Sequence, residues 1–143
     1  MKLLAKGRPL LILVFIVPRA FASDDACFER ASTQAQISVC AANELGKIDR
    51  QLNTKYREII DHLRHDEAAQ SQLIVAQRKW IGFRDAECTF RTINSQGGSM
   101  NRSSLDSCLT NLTKARINQF NLYLRCEMNG RHSTSEDCLI ASQ

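Results

Sequence analysis

The chain has 143 residues, six cysteines, 43% hydrophobic residues and a formal net charge of +4. That surplus lies entirely in the first 22 residues, which hold four of the 19 Lys and Arg and none of the 15 acids, so the remaining 121 residues carry 15 charges of each sign. A neutral body of this length makes one domain with a core large enough to fold alone, and it removes the main support for a nucleic-acid-binding reading.

In chain order, the first segment is "MKLLAKGRPLLILVFIVPRAFA". Basic Lys2, Lys6 and Arg8 precede an apolar run from Leu10 to Val17, and Ala20-Phe21-Ala22 closes it. This is the layout of a secretory signal peptide cut after Ala22. The run is shorter than the roughly 20 apolar residues that a spanning helix needs. Asp24-Asp25-Ala26 is not the small, apolar sequence that precedes a lipidated cysteine, so Cys27 is not expected to carry a lipid. The expectation is residues 1–22 as signal peptide and 23–143 as one domain, periplasmic or secreted, with no membrane span after cleavage.

Three long helices follow, with no two-residue alternation anywhere. The first starts near Ser32 or Thr33, both good N-caps, and Ile37, Ala41, Leu45, Ile48, Leu52, Tyr56, Ile59 and Leu63 then recur at three- and four-residue steps. A short polar turn at Arg64-His65-Asp66 leads into the second, from about Glu67 to Thr92, with Leu73, Ala76, Trp80 and Cys88 on one stripe. The loop "INSQGGSMNRSS", Ile93 to Ser104, leads into the third, from about Ser104 to Cys126, with Leu105, Leu109, Leu112, Phe120 and Tyr123 in line. The predicted architecture is all-α: a disulfide-stapled bundle of three main helices, the first two forming a long antiparallel hairpin. Residues 27–124 form its core, and a tail from 125 to 143 follows, with a turn signal at Asn129-Gly130.

All six cysteines, Cys27, Cys40, Cys88, Cys108, Cys126 and Cys138, lie after the signal segment, and an even number in a small exported domain points to three disulfides. Six cysteines allow 15 connectivities. Local pairing, Cys27–Cys40, Cys88–Cys108 and Cys126–Cys138, is the first expectation, each bridge tying a non-helical segment to a helix and closing a loop worth about 3 kcal/mol. Cys40–Cys88 is its main competitor. The absence of a C-x-x-C pair argues against a zinc cluster or a thioredoxin-like redox centre.

The stretch "AQRKWIGFRDAEC", Ala76 to Cys88, holds the candidate chemistry. On an ideal helix measured from Leu73, Gln77 falls at about +40°, Trp80 at about −20°, Arg84 at about +20° and Glu87 at about −40°, so polar groups sit on the apolar stripe. Glu44 and Arg116 fall on the inner stripes of the other two helices. A layer of Glu44, Arg84, Glu87 and Arg116 is neutral, and arginine suits a buried carboxylate because it donates two parallel hydrogen bonds. The competing reading is a glycosidase-like pair with Glu44 and Glu87 as acid and base. That chemistry needs one carboxyl with a raised pKa, whereas two nearby arginines keep both ionised. A structural ion layer is therefore the expectation, and no catalytic residue, cofactor or metal is assigned. His62 and His65, three residues apart beside Asp66, read as partners of a helix C-terminus rather than as a metal site.

In this order, Cys27, "TQAQISVCAANEL" (Thr33 to Leu45), "IDRQLNTKY" (Ile48 to Tyr56), "AQRKWIGFRDAEC", "GGS" (Gly97 to Ser99) and "CLTNLTKAR" (Cys108 to Arg116) make the chain similar to the LprI-like lysozyme inhibitor family of small exported helical proteins. The resemblance covers about Cys27 to Leu124. It implies a non-enzymatic bacterial envelope protein whose partner is another protein, lysozyme in the first instance. The chain departs from the lipoprotein members by lacking their anchor cysteine, and the Cys126–Cys138 tail is an addition. An inhibitor commonly presents a rigid loop to an enzyme cleft, which makes Gln96, Gly97, Gly98, Ser99, Met100 and Arg102 the candidate partner-binding loop. The rival expectation is an envelope interaction module for another partner: an effector, a secretion component or a stress-response protein.

Overall fold

The computed structural model describes residues 25–128, with side-chain surroundings for 26–125. The expected signal segment 1–22, the expected Asn129-Gly130 turn and the expected Cys126–Cys138 bridge lie outside the residues whose side chains are described. Four helices follow one another: α1 (Asp25–Arg30), α2 (Gln34–His62), α3 (Glu67–Arg91) and α4 (Asn101–Met128), with a 3-10 turn at Ile93–Ser95 before α4. No described helix is long and apolar enough to cross a membrane. The architecture is the all-α, disulfide-stapled bundle that the periodicity predicts.

Local chemistry sets the helix ends. Thr33 caps α2: its Oγ1 accepts from the Gln36 amide at 3.2 Å, while Gln36 Oε1 accepts from the Thr33 and Ser32 amides at 3.1 and 2.8 Å. This reciprocal pair satisfies amides that the first helical turn leaves without intrahelical acceptors. Asp66 caps α3 by accepting from the Ala69 amide at 2.8 Å, and its own amide donates to the Leu63 carbonyl at 2.9 Å, so the reversal between α2 and α3 takes only four residues. Two boundaries differ from the sequence expectation. The N-terminal arm contains a short helix, α1, too short to show a period, with an arginine in its last turn to complement the helix dipole. Helix α4 starts at Asn101 rather than Ser104, because the Ser104 amide already finds the Met100 carbonyl at 3.0 Å.

Helices α2 and α4 run parallel and make the most extensive contact in the fold. Their register is marked by Gln34 Nε2 donating to Ser103 Oγ at 2.9 Å near one end and by the Tyr56 and Phe120 rings, 6.3 Å apart, near the other. Helix α3 runs antiparallel to both and rests chiefly on α4. The apolar core gathers towards the α2–α3 turn. Leu52, Ile59, Leu63 and Phe120 are buried there, with Tyr56, Leu73, Trp80, Ile117, Tyr123 and Leu124 packed around them. Burying side chains of this kind is worth about 1.5–3 kcal/mol each.

The opposite half of the bundle is different. Its staples are Cys27–Cys40, which ties α1 to α2, and Cys88–Cys108, which ties the end of α3 to α4. Cys40 and Cys88 are buried. Cys40 and Cys88 therefore bond to other partners than each other.

Candidate functional site

On α4 the interior of the stapled half is polar, whereas α2 contributes buried Ala41 and Ile48 to it. Ser103, Asp106, Thr110, Thr113 and Arg116 recur at steps of three and four along α4, and all five are buried. Leu105, Leu109 and Leu112, which the sequence places on the inner stripe, are only half-buried at its border. The leucines share the helical period of the buried polar residues but are rotated by a fraction of a turn, and hydrophobicity alone selects the wrong phase. The signal available was the equal spacing of small polar residues that ends on Arg116.

Arg116 and Arg84 are the two guanidinium groups of this interior. Arg116 Nε donates to Gln77 Oε1 at 3.1 Å, and its Nη1 donates to Gln119 Oε1. Its carbon centre lies 5.7 Å from the Trp80 ring and 4.6 Å from the Phe120 ring. Arg84 lies 5.4 Å from the Trp80 ring, so the indole has a guanidinium contact from each of α3 and α4. Arg84 Nη1 donates to Asp49 Oδ1 at 3.1 Å and to Thr113 Oγ1 at 3.2 Å, and its Nε donates to Asp85 Oδ1 at 2.9 Å. Burial pushes the Arg116 guanidinium below its usual pKa, and Tyr123 beside it works in the opposite direction.

The four residues of the expected ion layer are thus not bonded to one another. Glu44 pairs with Lys114 of α4. Arg84 takes Asp49 and Asp85. Arg116 takes amide oxygens and aromatic faces instead of a carboxylate. Among the described residues Glu87 makes no ion pair. Helix phase selected inward directions but not axial level, and it hid Asp49 and Lys114, whose side chains stay 40% and 48% exposed while they pair with Arg84 and Glu44. The arrangement orients and packs these side chains. The described residues do not offer three metal-binding side chains together, and His65 Nε2 accepts from Arg64 Nε at 2.9 Å.

The loop between α3 and α4 is held by its backbone and by the adjoining bridge. The Thr92 hydroxyl donates to the Cys88 carbonyl at 2.8 Å, and Ser95 Oγ lies 2.8 Å from the Thr92 carbonyl and 3.0 Å from the Asn101 side-chain oxygen. The chain then reverses at Gly97, whose φ of 78° suits glycine above other residues. The Gly98 amide returns to the Ser95 carbonyl at 3.0 Å, and a Cβ at Gly98 would stand 3.1 Å from that oxygen. Gln96, Gly97, Gly98, Ser99 and Met100 are all exposed. Arg102 is separated from them: it stands on the first turn of α4 and donates to Asp106 at 3.0 Å. The tip itself therefore carries no charge and presents the exposed apolar side chains of Ile93 and Met100 beside it.

Comparison with known proteins adds three findings. Residues 27–120 match the family model described as lysozyme inhibitor LprI. An uncharacterized protein of Rhizobium meliloti strain 1021 is 28% identical, with 74% of this chain and 84% of the relative covered. No solved structure matches.

Proposed function

The chain belongs to the LprI lysozyme inhibitor family, and on that premise we propose that it is an exported envelope protein that inhibits lysozyme without chemistry of its own, by seating the Gln96–Met100 loop in the enzyme's cleft. The observation that carries the reading is an exposed, uncharged loop whose flanking helices are joined by Cys88–Cys108. A loop held this way loses little conformational freedom on docking, which is how small inhibitors convert modest contact area into affinity. Arg102, two residues past the loop, pairs with Asp106 on the first turns of α4. The signal-like segment 1–22 and the disulfides support an oxidising compartment outside the cytoplasm.

The test is lysozyme turnover on peptidoglycan with the processed chain purified from the envelope. Inhibition at micromolar excess, reduced by Met100→Lys, supports the reading. Unchanged lysis overturns it, and specific recovery of a bacterial envelope protein in its place assigns the surface to the rival role of an interaction module.

A further inference from the structure

Helix α3 has a second apolar stripe, turned away from the core. Val75, Phe83 and Phe90 are exposed to 48%, 56% and 72%. Lys79 and Ala86 lie on the same side and are also exposed, as is Ala76, which the sequence places on the inner stripe. Ala76, Phe83 and Phe90 recur every seven residues, with Lys79 and Ala86 three residues after the first two, which is the spacing of a helix–helix seam. The loop site does not account for Val75 and Phe83, which lie two turns or more along the helix from it.

Two pairs of positions are related about Phe83. Seven residues before it stands a small side chain, Ala76, and seven after it a large one, Phe90. Four residues before it stands Lys79, and four after it Glu87. Among the described residues neither of these two charges makes an ion pair. A two-fold axis at Phe83 that sets two such helices antiparallel brings each Phe90 over the partner copy's Ala76, the two Phe83 rings together, and each Lys79 to the other copy's Glu87. We propose that this face of α3 is an isologous interface with a second copy of the chain. The pattern is self-complementary in size and in charge about a single residue, as a two-fold interface requires and an unrelated partner does not. The contact, about 22 Å of helix, belongs with the smaller interfaces, so association in the micromolar range is expected.

Sedimentation equilibrium of the processed chain between about 1 and 200 µM reads this directly. A concentration-dependent dimer is expected. Phe83→Glu should leave a monomer with an unchanged circular dichroism spectrum, since the side chain is exposed. Lys79→Glu should weaken dimerisation at least about tenfold, and adding Glu87→Lys to it should restore association. A chain that stays monomeric throughout, a dimer indifferent to Phe83→Glu, or a double variant as weak as Lys79→Glu alone overturns the proposal. Lysozyme inhibition is read separately and decides nothing here.

Discussion

Arg116 Nε donates to Gln77 Oε1 at 3.1 Å inside the bundle, a charge held by an amide where a carboxylate would be the ordinary partner. The desolvation cost is met by amide oxygens and by the faces of Trp80 and Phe120. The sign of its pH linkage follows from the lowered pKa. The folded state disfavours the protonated form, so the cost is fully present below the folded pKa and eases only as pH rises through it.

Gln77→Glu supplies the missing carboxylate. Thermal unfolding at pH 7 should show a gain of about 1 kcal/mol or more. The new acid's pKa is depressed by Arg116, so the gain should persist above its unfolded value of about 4 and disappear as pH falls through the folded value. A variant less stable at pH 7 than at pH 3, relative to the parent, contradicts the assignment of Arg116 as unpaired.

Two threonines one turn apart should respond oppositely to the same change. Thr113 Oγ1 accepts from Arg84, whereas Thr110 Oγ1 is buried without a hydrogen-bond partner among the described residues. Thr113→Val should cost about 1–3 kcal/mol, because a buried guanidinium loses an acceptor. Thr110→Val removes an unsatisfied hydroxyl at nearly constant shape and should be neutral or stabilising by up to about 1 kcal/mol. Chemical denaturation of the two single variants checks both.

Removing Cys88–Cys108 should matter more than its position near a surface loop suggests. The bridge closes a separation of 20 residues, worth about 3 kcal/mol in the chain-entropy model. It also stands in the half where α4 buries polar side chains, while the main apolar cluster lies at the other end. In the Cys88→Ala/Cys108→Ala variant, hydrogen exchange should rise first around Ser103–Thr110 and last around Leu52–Leu63. Uniform loss of protection contradicts this division.

Gly97→Ala tests the loop. Its φ of 78° costs an alanine about 1 kcal/mol. Lysozyme inhibition should fall further than this small stability loss explains, because the tip is displaced from its docked shape. An inhibition curve identical to the parent's removes the tip from the contact.

The hairpin of α2 and α3 was legible in the sequence because it rests on two local signals, an unbroken stripe from Ile37 to Leu63 and a polar turn capped by Asp66. Helix α4 was legible as a helix but not in its rotation. Leu105, Leu109 and Leu112 share their period with Ser103, Asp106, Thr110 and Thr113, and only packing against α2 and α3 shows which set is buried. The charged strip was read correctly as inward-facing at Gln77, Trp80 and Arg84, yet its partners were not legible, since Asp49 and Lys114 reach their bonds from positions whose backbones lie outside the stripe.

By itself the sequence determined the helical class, the caps, the even cysteine set and the resemblance to a family, because each depends on spacing along one chain. The tertiary structure decided which polar groups are buried, that Arg116 meets amides and rings rather than an acid, and that Arg102 leaves the loop tip uncharged. These depend on the axial level and rotation at which separate helices meet. Shifts of a fraction of a turn, invisible in any one helix, change every partner there.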